Sequence, residues 1–455
     1  MSDTIAAIAT GAQVSAIGII RLSGDRAIHI VDSLFFPASG KAMGDSENRK
    51  LVYGSLRDRE GALLDLCLCT ISRGPNSYTG EDTAELQCHG SPVVLRAALE
   101  EIFALGARQA GPGEFTKRAF LNGRMEITAA EAVADMIDAE SVECAKNAAG
   151  QLSGAIDQKA EEIYSALTDI SSHYHAVLDY PDEDIEDFRL ESYREQLGAA
   201  LAQLRQLLDS FGRGKLMRAG IPAAIVGRPN AGKSSLLNAL LGYDRAIVTD
   251  IAGTTRDTVE EKVLVGGVLL RLTDTAGIRD SGDQIEAMGV ERSRQAAQRA
   301  SLALLVLDGS QALSEEDEQA IAAAQRVPNL LVLVNKGDLP RRLDIGRLAD
   351  RFDNVLTISA RTGEGLDTLS DAVAALYPAG ETPAGELLTN ARQADAVSRA
   401  LSAVAEARSA LRIGMTPDVV LTDCEAALEA LGELNGKRIR EDLVDTIFSR
   451  FCVGK

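Results

Sequence analysis

The sequence contains no tryptophan, and aromatic residues make up only 4% of its 455 residues. Its longest apolar runs, at 302–307 and 330–334, have the length of a buried strand and fall far short of the roughly 20 residues that cross a bilayer. None of the six cysteines stands in a Cys-x-x-Cys pair, and there are only four histidines. This spacing argues against a structural metal site and indicates reduced thiols.

Positive charge is also scarce, since 47 Lys and Arg face 67 Asp and Glu, for a net charge of −20. A protein that binds nucleic acid nonspecifically needs a basic face. The acidic excess therefore argues against a nonspecific nucleic-acid-binding protein. Specific binding through a local basic patch is still compatible with this composition. The N-terminus has no basic stretch before an apolar core, so we expect a cytoplasmic protein without a secretory signal and without a membrane partner.

The chain shows three kinds of sequence pattern. Residues up to 118 mix short β-like runs with a helical stretch at 93–105, which indicates an α+β domain. Residues 220–378 alternate strands and helices, which predicts a parallel sheet with helices on both faces. The flanking segments have helical periodicity, as in the spacing of Ile156, Ile163 and Leu167. The predicted domains are 1–118, 119–215, 216–380 and 381–455, with the third inserted into a helical domain that the second and fourth build together.

Residues 227–234 carry a phosphate-binding pattern. They read Gly-Arg-Pro-Asn-Ala-Gly-Lys-Ser, which fits G-x-x-x-x-G-K-[ST] between an apolar strand and a helix. The backbone N–H groups of such a loop bind phosphate oxygens. We expect Lys233 to act in catalysis as the charge on the β- and γ-phosphates, and the Ser234 hydroxyl to bind Mg²⁺.

Three further motifs follow apolar strands in the order of a GTPase: Asp274-Thr-Ala-Gly277, Asn335-Lys-Gly-Asp338 and Ser359-Ala-Arg361. Asp338 can accept hydrogen bonds from the guanine N1–H and the exocyclic amine, which adenine cannot donate. The sequence therefore predicts a Ras-like, doubly wound GTPase domain inserted in an all-helical domain and preceded by an α+β domain. The expected GTP contacts are Asn230, Ala231, Gly232, Lys233, Ser234, Ser235, Thr249, Thr254, Thr255, Asp274, Thr275, Ala276, Gly277, Asn335, Lys336, Asp338, Ser359, Ala360 and Arg361.

The segment 249–257 lies where a switch loop belongs, and Thr255 is the expected second Mg²⁺ ligand. In Ras-like GTPases a glutamine after D-x-x-G orients the attacking water, but Ile278 stands at that position here. Hydrolysis therefore needs other help. Asn230 could offer an oxygen to a monovalent cation, and Glu286 could hold the water. The alternative, that Glu286 is a solvated helix residue, is open.

The motif order with Asn230, the Gly-Thr-Thr-Arg-Asp switch and the terminal Phe-Cys-Val-Gly-Lys resemble the MnmE (TrmE) family of tRNA-modification GTPases. The resemblance covers essentially the whole chain and includes 74–82, 86–90 and 112–115 in the N-terminal domain. It implies a homodimer joined through the N-terminal domains and K⁺ bound near the triphosphate. It also gives Glu286 the role of orienting the catalytic water. The implied K⁺ ligands are Asn230, Thr249, Ile251 and Thr254.

The resemblance also implies a ligand of the 5-formyl-tetrahydrofolate type, with contacts at Arg21, Glu81, Arg124 and Lys455. Cations would suit the carboxylates of a folate, and Glu81 could accept hydrogen bonds from the pterin edge. On the residues alone, Arg21 could simply end a strand and Lys455 could be a frayed terminus. Residues 11–18 also depart from the Gly/Arg-rich loop often found there in the family.

Cys452 lies in a C-terminal C-x-G-K pattern, which is no prenylation box. The resemblance makes Cys452 a candidate for the modification chemistry, and a buried structural thiol is the alternative. It implies an FAD-dependent partner of the MnmG (GidA) type, in a heterotetramer or larger complex. The two proteins would form a 5-carboxymethylaminomethyl or aminomethyl group on the wobble uridine, U34, of certain tRNAs. The competing readings are a regulatory switch of the ribosome-assembly type and a folate-dependent transferase with an appended GTPase.

Overall fold

The computed structural model describes residues 3–11, 13–179, 190–243, 261–272, 298, 300–378, 383–437, 441–449 and 451–454. Its contacts divide the chain into two compact units. One comprises 1–134, 152–200 and 399–455, and the other comprises 135–151 and 201–398. The predicted boundaries at 118, 215 and 380 stay a prediction. No described helix combines the length and the apolar character that a bilayer crossing requires.

The N-terminal part of the first unit is built on a seven-stranded sheet. Its strands are β1 (Ile5–Ile8), β2 (Ser15–Ser23), β3 (Phe35–Pro37), β4 (Val52–Arg57), β5 (Leu63–Ser72), β6 (Thr83–Gly90) and β7 (Arg108–Gln109). The spatial order is β3-β4-β5-β6-β2-β1-β7, and every pairing is antiparallel except that of β1 with β7. Antiparallel sheets commonly bury one face and leave the other in water.

Helices lie on both faces of this sheet. On one face, Phe115 of α3 (Glu114–Leu121) packs with Ile5 and Ala7 of β1. On the other face, α1 (Ala27–Leu34), a 3₁₀ turn (Met43–Asp45) and α2 (Pro92–Ala104) build the main apolar core. Ile30 and Leu34 of α1 and Leu95 of α2 pack against Leu86 of β6 in this core. The predicted α+β architecture is confirmed. The β-like runs of the sequence at 16–21, 63–72 and 84–88 correspond to β2, β5 and β6, and the helical stretch at 93–105 corresponds to α2. The short strands β1 and β3 carried no recognisable alternation.

Helices dominate the rest of the first unit and its borders. They are α4 (Ile127–Ile137), α5 (Val142–Leu152), α6 (Ala155–Asp179), α7 (Leu190–Ala219), α12 (Ala391–Ile413), α13 (Pro417–Asn435) and α14 (Glu441–Phe448). The expected stripe on α6 is buried, with Ile156, Ile163 and Leu167 at most 1% exposed. Helix α13 begins at Pro417 after the N-cap Thr416, as predicted, and packs along α6.

The second unit contains a six-stranded sheet. Its strands are β8 (Ile221–Val226), β9 (Glu261–Val265), β10 (Val268–Leu272), β11 (Leu302–Asp308), β12 (Asn329–Asn335) and β13 (Val355–Thr357). The helices that accompany it are α8 (Lys233–Tyr243), α9 (Glu315–Ala324), α10 (Ile345–Ala349) and α11 (Leu366–Leu376). The spatial order is β13-β12-β11-β8-β10-β9, and among these described strands only β9 runs antiparallel to its neighbour.

This sheet is buried on both faces, as a doubly wound fold requires. Leu304 and Val306 of β11 enter one core cluster, while Leu305 and Leu307 enter the other. All seven residues of β11 are buried, which explains its unbroken apolar run. The predicted Ras-like class is confirmed by this strand order. The phosphate loop and the residues that follow β12 and β13 all leave the carboxyl ends of parallel strands, where open α/β sheets bind ligands.

Candidate nucleotide and ligand sites

The phosphate loop connects the end of β8 to the start of α8. Asn230 and Gly232 adopt left-handed conformations, with φ of 61° and 101°. A Cβ atom at Gly232 would overlap with Asn335 Nδ2, so only glycine fits there. Ala231 is fully buried between them. The loop is therefore curled as the motif predicts, at the N-terminus of a helix where anions bind well.

Lys233 is fastened to this loop. Its Nζ donates hydrogen bonds to the carbonyl oxygens of Gly227 and Arg228, both at 2.8 Å. Burial lowers the pKa of the Lys233 ammonium, because removal from water penalises the charged form. The carbonyl groups hold the positive end against the loop, where phosphate oxygens of a nucleotide would meet it. This position suits the predicted catalytic role.

The structure describes one of the two predicted Mg²⁺ ligands, Ser234. Ser234 and Ser235 lie in the first turn of α8, and both are exposed. A hydroxyl beside a phosphate loop fits the hard oxygen ligands that Mg²⁺ takes together with phosphate oxygens. The second expected ligand, Thr255, lies outside the described residues.

Asn335 connects two parts of the nucleotide site. Its side chain is buried at 2% exposure. Nδ2 donates to the Ala231 carbonyl at 2.9 Å, and Oδ1 accepts from the Ala360 backbone N–H at 3.0 Å. The predicted phosphate loop and the predicted base-contact segment at 359–361 are thereby held together by one side chain. Sequence spacing placed these motifs in order but did not predict this bridge.

Asp338, the carboxylate predicted to contact the base, is held by two neighbouring side chains. Its Oδ1 accepts a 2.7 Å hydrogen bond from the Ser359 hydroxyl, and its Oδ2 pairs with Arg361 Nη2. The Ser359 hydrogen bond, ahead of the Arg361 charge, lowers the pKa of Asp338, so the group is an ionised acceptor at neutral pH. Lys336, in a left-handed conformation with φ of 64°, donates through Nζ to Asp308 Oδ2 at 2.7 Å.

A buried ionic cluster contacts the phosphate loop through Arg228, and it was not predicted from the sequence. Arg228, an unspecified position of the motif, lies 3.2 Å from Asp317 Oδ1 through Nε and 3.6 Å from Asp308 Oδ2 through Nη2. Both carboxylates are at most 4% exposed. Burial alone would raise the pKa of Asp308, but hydrogen bonds from Lys336 and Ser310 outweigh it and lower that pKa. The cluster joins the phosphate loop to the base-recognition loop.

Several predicted site residues lie outside the described residues and stay predictions. They are Thr249, Ile251, Thr254, Thr255, Asp274, Thr275, Ala276, Gly277, Glu286 and Lys455. Of the predicted K⁺ ligands, Asn230 is therefore the one that the structure describes.

The first unit holds the predicted folate residues around the loop 74–82. Arg21, on β2, donates through Nε to Glu85 Oε1 at 2.7 Å. Its guanidinium carbon lies 5.7 Å from the ring centroids of Tyr78 and Phe115. Both rings belong to the motifs that carried the resemblance. Arg21 therefore lies within β2, two residues before its end and against two aromatic rings, and its role in folate binding stays a prediction.

Glu81 is held by two donors on one oxygen. Its Oε2 accepts from Ser23 Oγ at 2.7 Å and from Arg118 Nη1 at 2.9 Å. Within the described residues no donor reaches Oε1, so this oxygen can accept a hydrogen bond from a ligand. Arg118 is 9% exposed and was not predicted. Its partners come from distant parts of the sequence, so no local pattern could have found it.

Arg118 also pairs with Glu114 and Asp3. Its Nη2 lies 3.0 Å from Glu114 Oε1 and 2.6 Å from Asp3 Oδ1. Glu114 accepts further hydrogen bonds from Arg108 and from the Gly111 N–H, each at 2.8 Å. Burial opposes ionisation of Glu114, but these donors outweigh it and lower its pKa to about 2.

Arg124 and Cys452 complete the placed residues. Arg124 is exposed, and its Cγ would lie 3.3 Å from a Cβ at Gly80, so it lies beside the same loop. Cys452 is exposed, so the alternative of a buried structural thiol is wrong. The C-terminal segment lies against the N-terminal part of its unit, since the Gly113 N–H donates to the Cys452 carbonyl at 3.2 Å. Val453 forms a β-bridge with Pro112.

Comparisons with known proteins cover the whole chain. The family model described as "MnmE helical domain" matches residues 127–452, and "GTP-binding protein TrmE N-terminus" matches residues 4–124. "tRNA modification GTPase MnmE" of Clostridioides difficile (strain 630) is 40% identical over 100% of both chains. The protein of the same name from Roseiflexus sp. (strain RS-1) is 43% identical over 100% of this chain and 99% of its own.

Among solved structures, a point variant of Aquifex aeolicus Era bound to GDP.AlF4- is 28% identical. It covers 40% of this chain and 65% of its own, with a TM-score of 0.27. The Ras-like class follows from the strand order and not from this similarity.

Proposed function

Since the chain belongs to the MnmE family of tRNA modification GTPases, we propose that it couples K⁺-activated GTP hydrolysis to a folate-dependent modification of the wobble uridine of certain tRNAs. GTP hydrolysis in tRNA modification follows from the family itself. The observation that carries the nucleotide assignment is the Asp338 carboxylate, held ionised by Ser359 beside the phosphate loop that Asn335 braces.

Guanine recognition follows from the hydrogen-bonding capacity of Asp338. An ionised carboxylate only accepts hydrogen bonds, and guanine presents two donors, N1–H and the exocyclic amine, on one edge. Each hydrogen bond to a charged group is worth about 1.5–3 kcal/mol. The pair therefore gives roughly 10²- to 10⁴-fold discrimination in affinity.

The test is Asp338→Asn with GTP and XTP. Xanthine has an acceptor oxygen where guanine has the amine, so an amide side chain complements it. We expect GTP affinity to fall by about 10²-fold or more, and XTP to support hydrolysis in the variant. Asp350→Asn, at an exposed position of the same sheet domain, is the matched control and should keep the wild-type preference. If GTP and XTP bind alike to both variants, Asp338 does not read the base.

Catalysis at this site depends on charge and positioning. Phosphoryl transfer passes through a transition state with charge spread over the phosphate oxygens. The Lys233 ammonium is held against the phosphate loop, where it would meet those oxygens, and the N–H groups of the loop would neutralise further charge. Mg²⁺ bound by Ser234, with Thr255 as second ligand, supplies Lewis-acid charge when present. The remaining GTP contacts proposed are those predicted from the sequence.

K⁺ takes the place of the missing glutamine in this proposal. Ile278 cannot orient water, so the proposal assigns the added charge to a cation held by Asn230, Thr249, Ile251 and Thr254. Asn230 supports this assignment, because its left-handed conformation lies in the phosphate loop itself and asparagine tolerates that conformation. Glu286 is proposed to hold the attacking water. A homodimer brings two such domains together when GTP and K⁺ are bound.

The N-terminal domain is proposed to bind a tetrahydrofolate such as 5-formyl-tetrahydrofolate. The residues fit, because Glu81 keeps Oε1 open as an acceptor and Arg21 and Arg124 offer cations around the same loop. Lys455 is the fourth proposed contact. The bound folate supplies the carbon of the modification, and an FAD-dependent partner of the MnmG type supplies redox chemistry. The proposal places this work in the cytoplasm, with exposed Cys452 as a candidate participant.

Calorimetry with 5-formyl-tetrahydrofolate tests the folate assignment. We expect binding to the wild type, and a loss of at least about tenfold in affinity for Glu81→Gln, because an amide can offer its NH₂ group where Oε1 has to accept. Glu47→Gln, at a side chain that is 79% exposed, is the matched control. The absence of heat with the wild type would instead favour a regulatory GTPase switch without metabolite chemistry.

A further inference from the structure

Two buried thiols lie side by side in the N-terminal sheet. Leu68 of β5 pairs with Gln87 of β6, so one step further along the antiparallel ladder Cys67 lies opposite Cys88. The two residues are 5% and 1% exposed. The Sγ atoms and a carboxylate oxygen of Asp65 all lie within 4.8 Å of one another. None of these three residues belongs to the nucleotide site or to the residues proposed to bind folate.

The carboxylate of this cluster is held in place. Asp65 Oδ2 accepts a 2.8 Å hydrogen bond from the His89 backbone N–H, and Oδ1 lies 2.7 Å from His89 Nδ1. The Asp65 side chain is 9% exposed, while the imidazole is 75% exposed. Carboxylates that bind metals are themselves held by hydrogen bonds from outer groups, which fix the orientation of the ligand. The cluster therefore has an ordered polar edge that leads to solvent.

We propose that Asp65, Cys67 and Cys88 bind one Zn²⁺ ion. Two sulfurs and one oxygen match the mixed soft and hard donors that Zn²⁺ accepts, whereas Mg²⁺ and Ca²⁺ take oxygen donors. An iron–sulfur cluster needs four cysteine-type ligands, and this cluster offers two. The fourth position belongs to a water molecule on the solvent side. On binding, both thiols lose their protons to solvent and two Zn–S bonds form, without any change of oxidation state.

The spacing of the cysteines in the sequence argued against a structural metal site. The proposed ligands come from two different strands, so spacing along the chain does not reveal them. Zinc patterns in sequence are recognised when cysteines lie two to four residues apart. Here Cys67 and Cys88 come from neighbouring strands of one hairpin, and they are brought together only by its register. Occupied, the site would join β5 to β6 at the end away from the loop 74–82.

Co²⁺ is a suitable probe, because tetrahedral thiolate coordination gives it charge-transfer and visible d–d absorption. Titration of the reduced full-length protein is expected to produce this absorption with one equivalent of Co²⁺, and Zn²⁺ is expected to abolish it. Cys67→Ser and Cys88→Ser should lose the thiolate absorption and weaken Zn²⁺ binding more than about tenfold. Cys69→Ser is the matched control, since Cys69 is a fully buried thiol on the same strand but outside the cluster.

Asp65→Asn tests the proposal independently, in case the serine variants fail to fold. This variant keeps a side-chain oxygen that can accept from His89, and it leaves both thiols in place. It should therefore keep the thiolate absorption of bound Co²⁺ while lowering the affinity for Zn²⁺. Far-UV circular dichroism and GTP hydrolysis check the fold of every variant. The proposal is overturned if stoichiometric Co²⁺ gives no thiolate absorption, or if Cys67→Ser and Cys69→Ser bind alike. It is also overturned if peptide mapping of the protein from cells shows a Cys67–Cys88 disulfide.

Discussion

Replacement of Glu114 by glutamine should destabilise the N-terminal domain in a pH-dependent way. The Glu114 side chain is 16% exposed and is paired with Arg108 and Arg118. Its pKa is lowered from 4.5 to about 2. A difference of about 2.5 units, at about 1.36 kcal/mol per unit, gives about 3 kcal/mol of stability at neutral pH.

The sign of the pH dependence follows from the direction of this shift. A folded-state pKa below the ordinary value means that the ionised group stabilises the folded state. The contribution is complete well above pH 4.5 and is lost as the pH falls towards 2. We therefore expect the difference between wild type and Glu114→Gln to be about 3 kcal/mol at pH 7 and about 1.4 kcal/mol at pH 3.

Hydrogen exchange of the α3 amides at the two pH values measures this difference locally. It avoids treating a multidomain chain as a two-state system. Glu47→Gln is the matched control. Its 3.3 Å pair with Lys50 is exposed and should contribute less than about 1 kcal/mol. A difference for Glu114→Gln that is equal at pH 7 and pH 3 would refute the assignment of the stability to its ionisation.

Two further predictions concern the nucleotide site. Glu286→Ala should lower the turnover of GTP far more than its affinity, because a group that holds water acts in the transition state; single-turnover hydrolysis and nucleotide titration measure the two, and unchanged turnover would remove the proposed role. Asn335→Ala should cost about 2–3 kcal/mol of stability and weaken GTP binding, because it leaves the buried Ala231 carbonyl and Ala360 N–H without their partner. Hydrogen exchange of the β12 amides and nucleotide titration measure the two effects, and Asn354→Ala, on the loop before β13, is the control.

The sheet of the second unit illustrates what sequence patterns can predict. Its parallel strands are apolar throughout because both faces are buried, so the runs at 302–307 and 330–334 match β11 and β12 to within one residue at each end. The antiparallel β9 was missed. The signal was available, since Gly266 and Gly267, with φ of 59° and 77°, form the two-residue connection of a hairpin to β10.

The candidate sites show a sharper limit. Motifs identified Lys233, Asn335 and Asp338, because their chemistry requires fixed spacing within one loop. The side chains that hold those loops, and the arginine that holds Glu81 in the N-terminal domain, were not predicted. Arg228 meets Asp317 across 89 positions of sequence, and Arg118 meets Asp3 across 115. Such pairs are created by the fold, and no periodicity or short pattern records them.

The most direct test of the account measures phosphate release from GTP in KCl and in NaCl at equal ionic strength. The assay uses the wild type and Asn230→Ala, with and without the flavoprotein partner. We expect hydrolysis by the wild type to be at least about tenfold faster in KCl, and the variant to lose most of that difference. Equal rates of the wild-type protein in the two salts would contradict the proposal that a cation replaces the missing glutamine.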